Sequence, residues 1–295
     1  MHTRDVDTSY ESYTDDEGYI SANRPLIESI DLGKTRVVAD LACGAGLFSD
    51  LLLARKPDLK ICGIDLDPEQ IDISTRKFGR QGISLLPDVD AWRASGAGCM
   101  LLWTGSADEL PFVDGEIDLV VMGNAIHLMP DKDRFLLEVA RVLRPGGTFV
   151  FNSVFFSGTF VPGTEVVYSE WMKEAVLALE VINKERAQAG EPPVARQRKT
   201  GGRAFAKGWL SEDEWRAIAE KAGFINVRIG TRAEPITSAS LRLIAGYSGL
   251  ASVLMSGYPP EIAGVCLQEG AERAFNRLGI SEVPRLWLEV NAVRP

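Results

Sequence analysis

An α/β fold with a doubly wound, mostly parallel sheet is predicted by three features of the sequence. From Thr35 onward, short apolar runs alternate with amphipathic segments. That rhythm is the mark of parallel strands joined by crossovers, with both sheet faces covered. One run, VVADLACGAG over 37–46, passes through two glycines straight into the helical stretch LFSDLLL. The next, KICGID over 60–65, ends in an acid 19 residues beyond Gly46.

The elements follow in order. An acidic leader with Tyr10, Tyr13 and Tyr19 precedes a short helix in ISANRPLIESIDL. RVVADLA reads as a buried strand, LFSDLLLARKP as a helix stopped by Pro57, and KICGIDLD as a second strand. A helix starts near Pro68, where a first helical turn tolerates proline. The stretch LLPDVDAWRASGAG is read as an extended helix or loop. CMLLWTG and IDLVVMGNA are strands, DKDRFLLEVARVL is an amphipathic helix, and GTFVFNSVFF is a fifth strand entered through the turn RPGG. LSEDEWRAIAEKAGF begins with a capping-box pattern, and INVRIG and PRLWLEVNAV supply two more strands. Two insertions, 156–208 and 233–283, look helical and amphipathic and are read as a cap within one domain whose core is 35–155 and 209–295.

Composition narrows the function classes. The net charge of −9 argues against nucleic-acid binding, because phosphate affinity rests on clustered Lys and Arg. The N-terminus lacks the apolar core of a signal peptide, and no apolar run reaches the roughly 18 residues of a membrane span. The four cysteines form no CxxC pair and the chain has only two histidines, so no metal site is expected. A reducing, cytoplasmic setting fits. The oligomeric state is left open.

Glycines at 44 and 46 would let a ligand approach the main chain, and the helix that follows offers free N–H groups. Asp65, at the end of the second strand, is placed to accept hydrogen bonds from a ribose diol. Asp40 stands before the glycines, where a carboxylate would repel a pyrophosphate and suit a cation, or would merely cap the loop that follows. S-adenosylmethionine, with a sulfonium, an ammonium and no phosphate, meets that requirement better than a dinucleotide.

These stretches resemble the class I S-adenosylmethionine-dependent methyltransferases. VVADLACGAGLFS is similar to their first motif, with Ala42 where glycine is commoner, and ICGIDLDPEQI to the second. GSADELPFVDGEIDLVVMGNAIHLMPD, LLEVARVLRPGGTFVF and the later LSEDEWRAIAEKAGFINVRI also match. The resemblance implies a seven-stranded sheet with the last strand antiparallel. It assigns Asp40, Ala42, Gly44 and Gly46 to the methionine side of the cofactor, Asp65 to the ribose and Asp108 to the adenine amino group. Leu66 and Ala107 join the cofactor-binding positions, and Asn124 faces the amino-acid or sulfonium region. It also implies that an N-terminal segment, 1–34, covers the cofactor, with Tyr13 the residue chosen for contact.

Methyl transfer from an activated sulfonium needs positioning and exclusion of water, and a base only for an acceptor of high pKa. His127, just past the fourth strand, is a candidate base or a shaper of its own turn. Glu170 is a second candidate base or a solvated helix residue. Tyr168, Trp171 and Trp209 are candidates for an acceptor pocket, or cap-core packing in the case of Trp171. Arg203 belongs to a basic stretch with Arg196, Arg198, Lys199 and Lys207, read as an anion-binding loop for the acceptor or as a solvated one. The expected activity is methyl transfer to a small, fairly apolar acceptor on carbon or oxygen. The competing readings are a nicotinamide-dependent oxidoreductase and a non-catalytic module on the same fold.

Overall fold

The computed structural model describes residues 16–197 and 209–295. Tyr10, Tyr13, Arg198, Lys199, Arg203 and Lys207 lie outside the described residues. In chain order the elements are α1 (Glu17–Glu28), β1 (Val37–Leu41), α2 (Leu47–Arg55), β2 (Lys60–Asp65), α3 (Pro68–Arg80), β3 (Ser84–Leu86), α4 (Val89–Ala94), β4 (Cys99–Thr104) and β5 (Ile117–Gly123). After a 3-10 turn at Ile126–Leu128 come α5 (Lys132–Val142), β6 (Leu143–Ser153), α6 (Glu165–Gln188), α7 (Glu212–Lys221), β7 (Ile225–Thr237), α8 (Ser238–Gly246), α9 (Ser248–Leu254), α10 (Pro260–Leu278) and β8 (Glu282–Val293).

The strands form one sheet in the order β3-β4-β2-β1-β5-β6-β8-β7. β1 pairs in parallel with β2 and β5, and β8 runs antiparallel to β6. The sheet therefore has eight strands rather than seven. The additional one is β3, three residues at the β4 edge, inside ISLLPD. Three residues carry no periodicity to read, so that segment looked like loop or helix. The RPGG turn likewise falls within β6, where the β5–β6 register shifts between Ile117 and Leu119.

The chain divides into two compact units. The sheet unit holds residues 20–159, 209–232 and 287–295. Its core explains its order: Val38, Ile61, Leu119, Val121 and Val150 of neighbouring strands bury against Phe48 and Leu52 of α2, Phe78 of α3 and Ile27 of α1. Parallel strands covered on both faces must be apolar on both faces, which is why they read as continuous runs. Side-chain caps start some of the helices. Asp67 accepts from the Glu69 amide at α3, and Ser211 and Glu214 form a reciprocal capping box at α7.

The helical unit holds the described residues 16–19, 160–197 and 233–286, so the two insertions make one body. Its core packs Trp171, Ala175 and Ala178 of α6 with Leu241 and Ala245 of α8 and Cys266, Leu267 and Ala271 of α10. No helix among the described residues is long and apolar enough to cross a membrane.

Candidate active site

The predicted cofactor residues gather at the carboxyl ends of β1, β2, β4 and β5 in the sheet unit. The β1–α2 turn takes an unusual backbone path: Ala42, Gly44 and Gly46 have φ of 51°, 52° and 79°. That left-handed region favours glycine, and an L side chain there costs about 1–2 kcal/mol. Ala42 therefore holds strain that glycine would not.

The two glycines serve different ends. A Cβ at Gly44 would meet no atom closer than Gln70 Oε1 at 3.7 Å, so the main chain there is open to a ligand. A Cβ at Gly46 would stand 2.5 Å from Cε2 of the Phe78 ring. Gly46 is required by the packing of α2 on α3, and not only by a ligand as the sequence suggests.

Asp65 locks this turn. Its Oδ2 accepts the Gly44 amide at 2.8 Å and its Oδ1 accepts the Asp67 amide at 3.0 Å. Burial raises its pKa, and these two amides oppose the rise. Leu66, next in chain, leaves 75% of its surface exposed, an apolar side chain standing in solvent at the mouth of the sheet. On the neighbouring strand β4, the chain continues into Ser106, Ala107 and Asp108. Asp108 Oδ1 is buried without a hydrogen-bond partner among the described residues. A buried acceptor left unsatisfied costs about 1–3 kcal/mol, which a donor on a ligand would recover. Gln70 Oε1 is likewise buried and without a partner among the described residues, facing the Gly44 turn. Sequence reading missed Gln70, because only the packing of α3 brings it there. An apolar shelf, two carboxylates and an open glycine backbone fit a purine nucleoside.

Asp40 holds the start of α2. It is buried, and its Oδ2 accepts the Ser49 amide at 3.0 Å and the Ser49 hydroxyl at 2.7 Å, fixing the first turn of α2. Burial pushes its pKa up to about 7, against the two Ser49 hydrogen bonds. At neutral pH it is thus only partly ionised, so the electrostatic case for a cation rests less on Asp40 than the sequence implied. The rise has a stability consequence. The folded state holds a proton that the unfolded chain, with an ordinary carboxyl near 4, has released. This contribution is complete below about pH 4 and is lost as pH climbs to about 7, at roughly 1.4 kcal/mol per unit. Urea unfolding from pH 5 to 7 is expected to show that slope in the natural chain and to lack it in Asp40→Asn. Parallel slopes would place the titration elsewhere.

Asn124 is a second non-glycine site residue with positive φ, 49°. Its Oδ1 accepts the Val154 amide at 3.0 Å, and its own amide donates to Asn152 Oδ1 at 2.9 Å. Its carbonyl oxygen therefore ties β5 to β6, a structural duty the sequence did not show. His127 lies in the 3-10 turn after β5, its ring 4.0 Å from that of Phe155, and Phe155 stands 5.8 Å from Trp209. The structure so assembles an aromatic row that includes Phe155, which sequence reading passed over.

Glu170, Tyr168 and Trp171 belong to the helical unit. Glu170 accepts hydrogen bonds from Lys173 and Arg277, both at 3.1 Å. Those cations, Lys173 first, hold its pKa below the usual carboxylate value, which makes it a poor proton acceptor. The reading of Glu170 as a base is corrected: it is an ion-paired residue joining α6 to α10. Trp171 is buried and its indole N–H donates to the Leu267 carbonyl at 2.7 Å, so it packs the core of its unit, the alternative the sequence allowed. Tyr168 stacks edge-on against Phe160, with the Arg285 guanidinium over both rings. No cluster of metal-ligating side chains occurs among the described residues.

A family model described as a methyltransferase domain matches residues 39–151, and a second of the same description matches residues 102–223. Together the two matches extend over residues 39–223, and over that stretch the chain is similar to methyltransferase domains. The matched stretches contain every cofactor position described above except Tyr13. Among curated proteins, the chain is 31% identical over 120 residues to ajmaline N-methyltransferase of Rauvolfia serpentina, covering 41% of this chain and 36% of that protein. It is 33% identical over 114 residues to demethylmenaquinone methyltransferase of Symbiobacterium thermophilum, covering 38% and 40%. The chain therefore aligns with less than half the length of either relative. Among solved structures, YcgJ of Bacillus subtilis superposes with a TM-score of 0.55 at 15% identity, covering 95% of this chain and 99% of that one. At that identity the likeness concerns the fold alone.

Proposed function

We propose that this methyltransferase binds S-adenosylmethionine on the β1–α2 turn and transfers its methyl group to a small, fairly apolar acceptor. The observation that carries the cofactor reading is the buried Asp108 Oδ1, without a partner among the described residues, in the turn that follows the strand beside β2 and its Asp65, together with the exposed Leu66. When bound, the cofactor supplies a methyl group already activated on sulfur. Asp65 accepts from the ribose hydroxyls, Asp108 from the adenine amino group, and Leu66 covers the face of the base. The open Gly44 backbone and Gln70 Oε1 take the methionine or sugar side.

The aromatic row of His127, Phe155 and Trp209 supports an apolar acceptor, since flat rings offer a large contact area with few polar demands. The two curated relatives are named for small molecules, which agrees. His127 is the proposed base for an acceptor that must lose a proton.

Calorimetric titration with S-adenosylhomocysteine and with NAD separates this reading from an oxidoreductase. Micromolar binding of the first and none of the second is expected; the reverse overturns the proposal. For His127→Gln, turnover of an acceptor that the natural chain methylates is expected to fall about 100-fold, the scale of general-base assistance. Affinity for S-adenosylhomocysteine should stay unchanged. Full turnover would return His127 to a structural role.

A further inference from the structure

Four of the nine large apolar side chains exposed among the described residues lie on one helix, α6: Val166, Val176, Leu177 and Val181. The opposite side of α6 is fully used, since Trp171, Ala175 and Ala178 are buried in the core of the helical unit. A groove lined by Met172, Val176, Leu177 and Arg277 opens on the exposed side. Charges interrupt the apolar stripe in a definite order. Lys173 leaves 68% of its side chain exposed although it bridges Glu170, and Glu180 is exposed with no ion-pair partner among the described residues.

We infer that this face is the interface of a homodimer in which α6 pairs antiparallel with α6 of a second copy. The two-fold axis passes between Val176 and Leu177. The pattern around that point is palindromic. With roughly 100° of turn per residue, Val176 and Leu177 flank the outward line symmetrically, and Lys173 and Glu180 lie almost on it. In an antiparallel pair, Val176 faces the second copy's Leu177, and Lys173 faces its Glu180, each contact occurring twice. Val166 near the start of the helix then meets the exposed Ala187 near its end. An isologous two-fold contact demands this kind of self-complementarity, the same patch answering itself. An unrelated partner or a lipid surface would not require opposite charges at equal distances on either side of a centre.

Sedimentation equilibrium on the full chain, over a range of concentrations, tests the inference. The natural chain is expected to dimerise. Lys173→Glu and Glu180→Lys each place like charges opposite one another at both symmetric contacts. Each is expected to weaken the dimer about tenfold or more, two ion pairs turning from attraction to repulsion. The double variant restores opposite signs and is expected to regain most of the affinity, a recovery that general damage to the fold would not produce. Thermal melting of each variant monitors the Glu170 contact that Lys173 also makes. A natural chain that stays monomeric overturns the inference. A dimer indifferent to the single swaps, or one that the double swap fails to restore, overturns this face and register.

Discussion

Gly46→Ala is expected to destabilise the chain by about 3 kcal/mol, the sum of a left-handed alanine and an overpacked contact. The new methyl group would stand 2.5 Å from Cε2 and 2.8 Å from Cζ of the Phe78 ring, which is fully buried and has no room to retreat. Gly44→Ala is the companion measurement. It carries the same backbone penalty, but its nearest neighbour is Gln70 Oε1 at 3.7 Å, so the stability loss stays near 1–2 kcal/mol. The affinity for S-adenosylhomocysteine is the quantity that falls, because the added carbon fills space the ligand needs. Denaturant unfolding of the two variants with and without ligand separates a packing glycine from a binding one. Equal stability losses would contradict the assignment.

Asp65→Ala is expected to weaken S-adenosylhomocysteine binding by about 2–3 kcal/mol, the scale of lost hydrogen bonds to a charged group, or roughly 30- to 150-fold. Part of that loss is indirect. Asp65 also holds the Gly44 and Asp67 amides, so its removal would loosen the turn proposed to carry the ligand. Asp65→Asn keeps one acceptor and can still hold part of the turn, and its loss should be smaller. Calorimetry reads both. Unchanged affinity in the alanine variant would remove Asp65 from the sugar.

Much of the sheet was legible because buried parallel strands betray themselves as apolar runs, and because the glycine turn is followed at 19 residues by the acid that ends β2. What stayed hidden depends on residues that meet only in space. Glu170 looked like a free carboxylate until Arg277, 107 residues further on, was seen to donate to it. For Asp40 the sequence offered a guide for a cation or a cap, and only the packing shows Ser49 as its partner and burial as the cause of its raised pKa. Gln70 and Phe155 carry no motif, and their relevance comes from which helix packs beside the turn and which ring lies beside His127. β3 was missed for a different reason, since three edge residues give no pattern to detect. Local spacing could propose the residues around the β1–α2 turn, whereas the contacts of Glu170, Trp171 and Phe155 are long-range and leave no pattern in the sequence.

The most direct test of the account is a crystal structure of the chain with S-adenosylhomocysteine. The ribose hydroxyls are predicted within hydrogen-bond distance of Asp65, the adenine amino group against Asp108 Oδ1, and the base beside Leu66. A turn blocked by side chains, or a ligand seated elsewhere with Asp108 still unpaired, would contradict it.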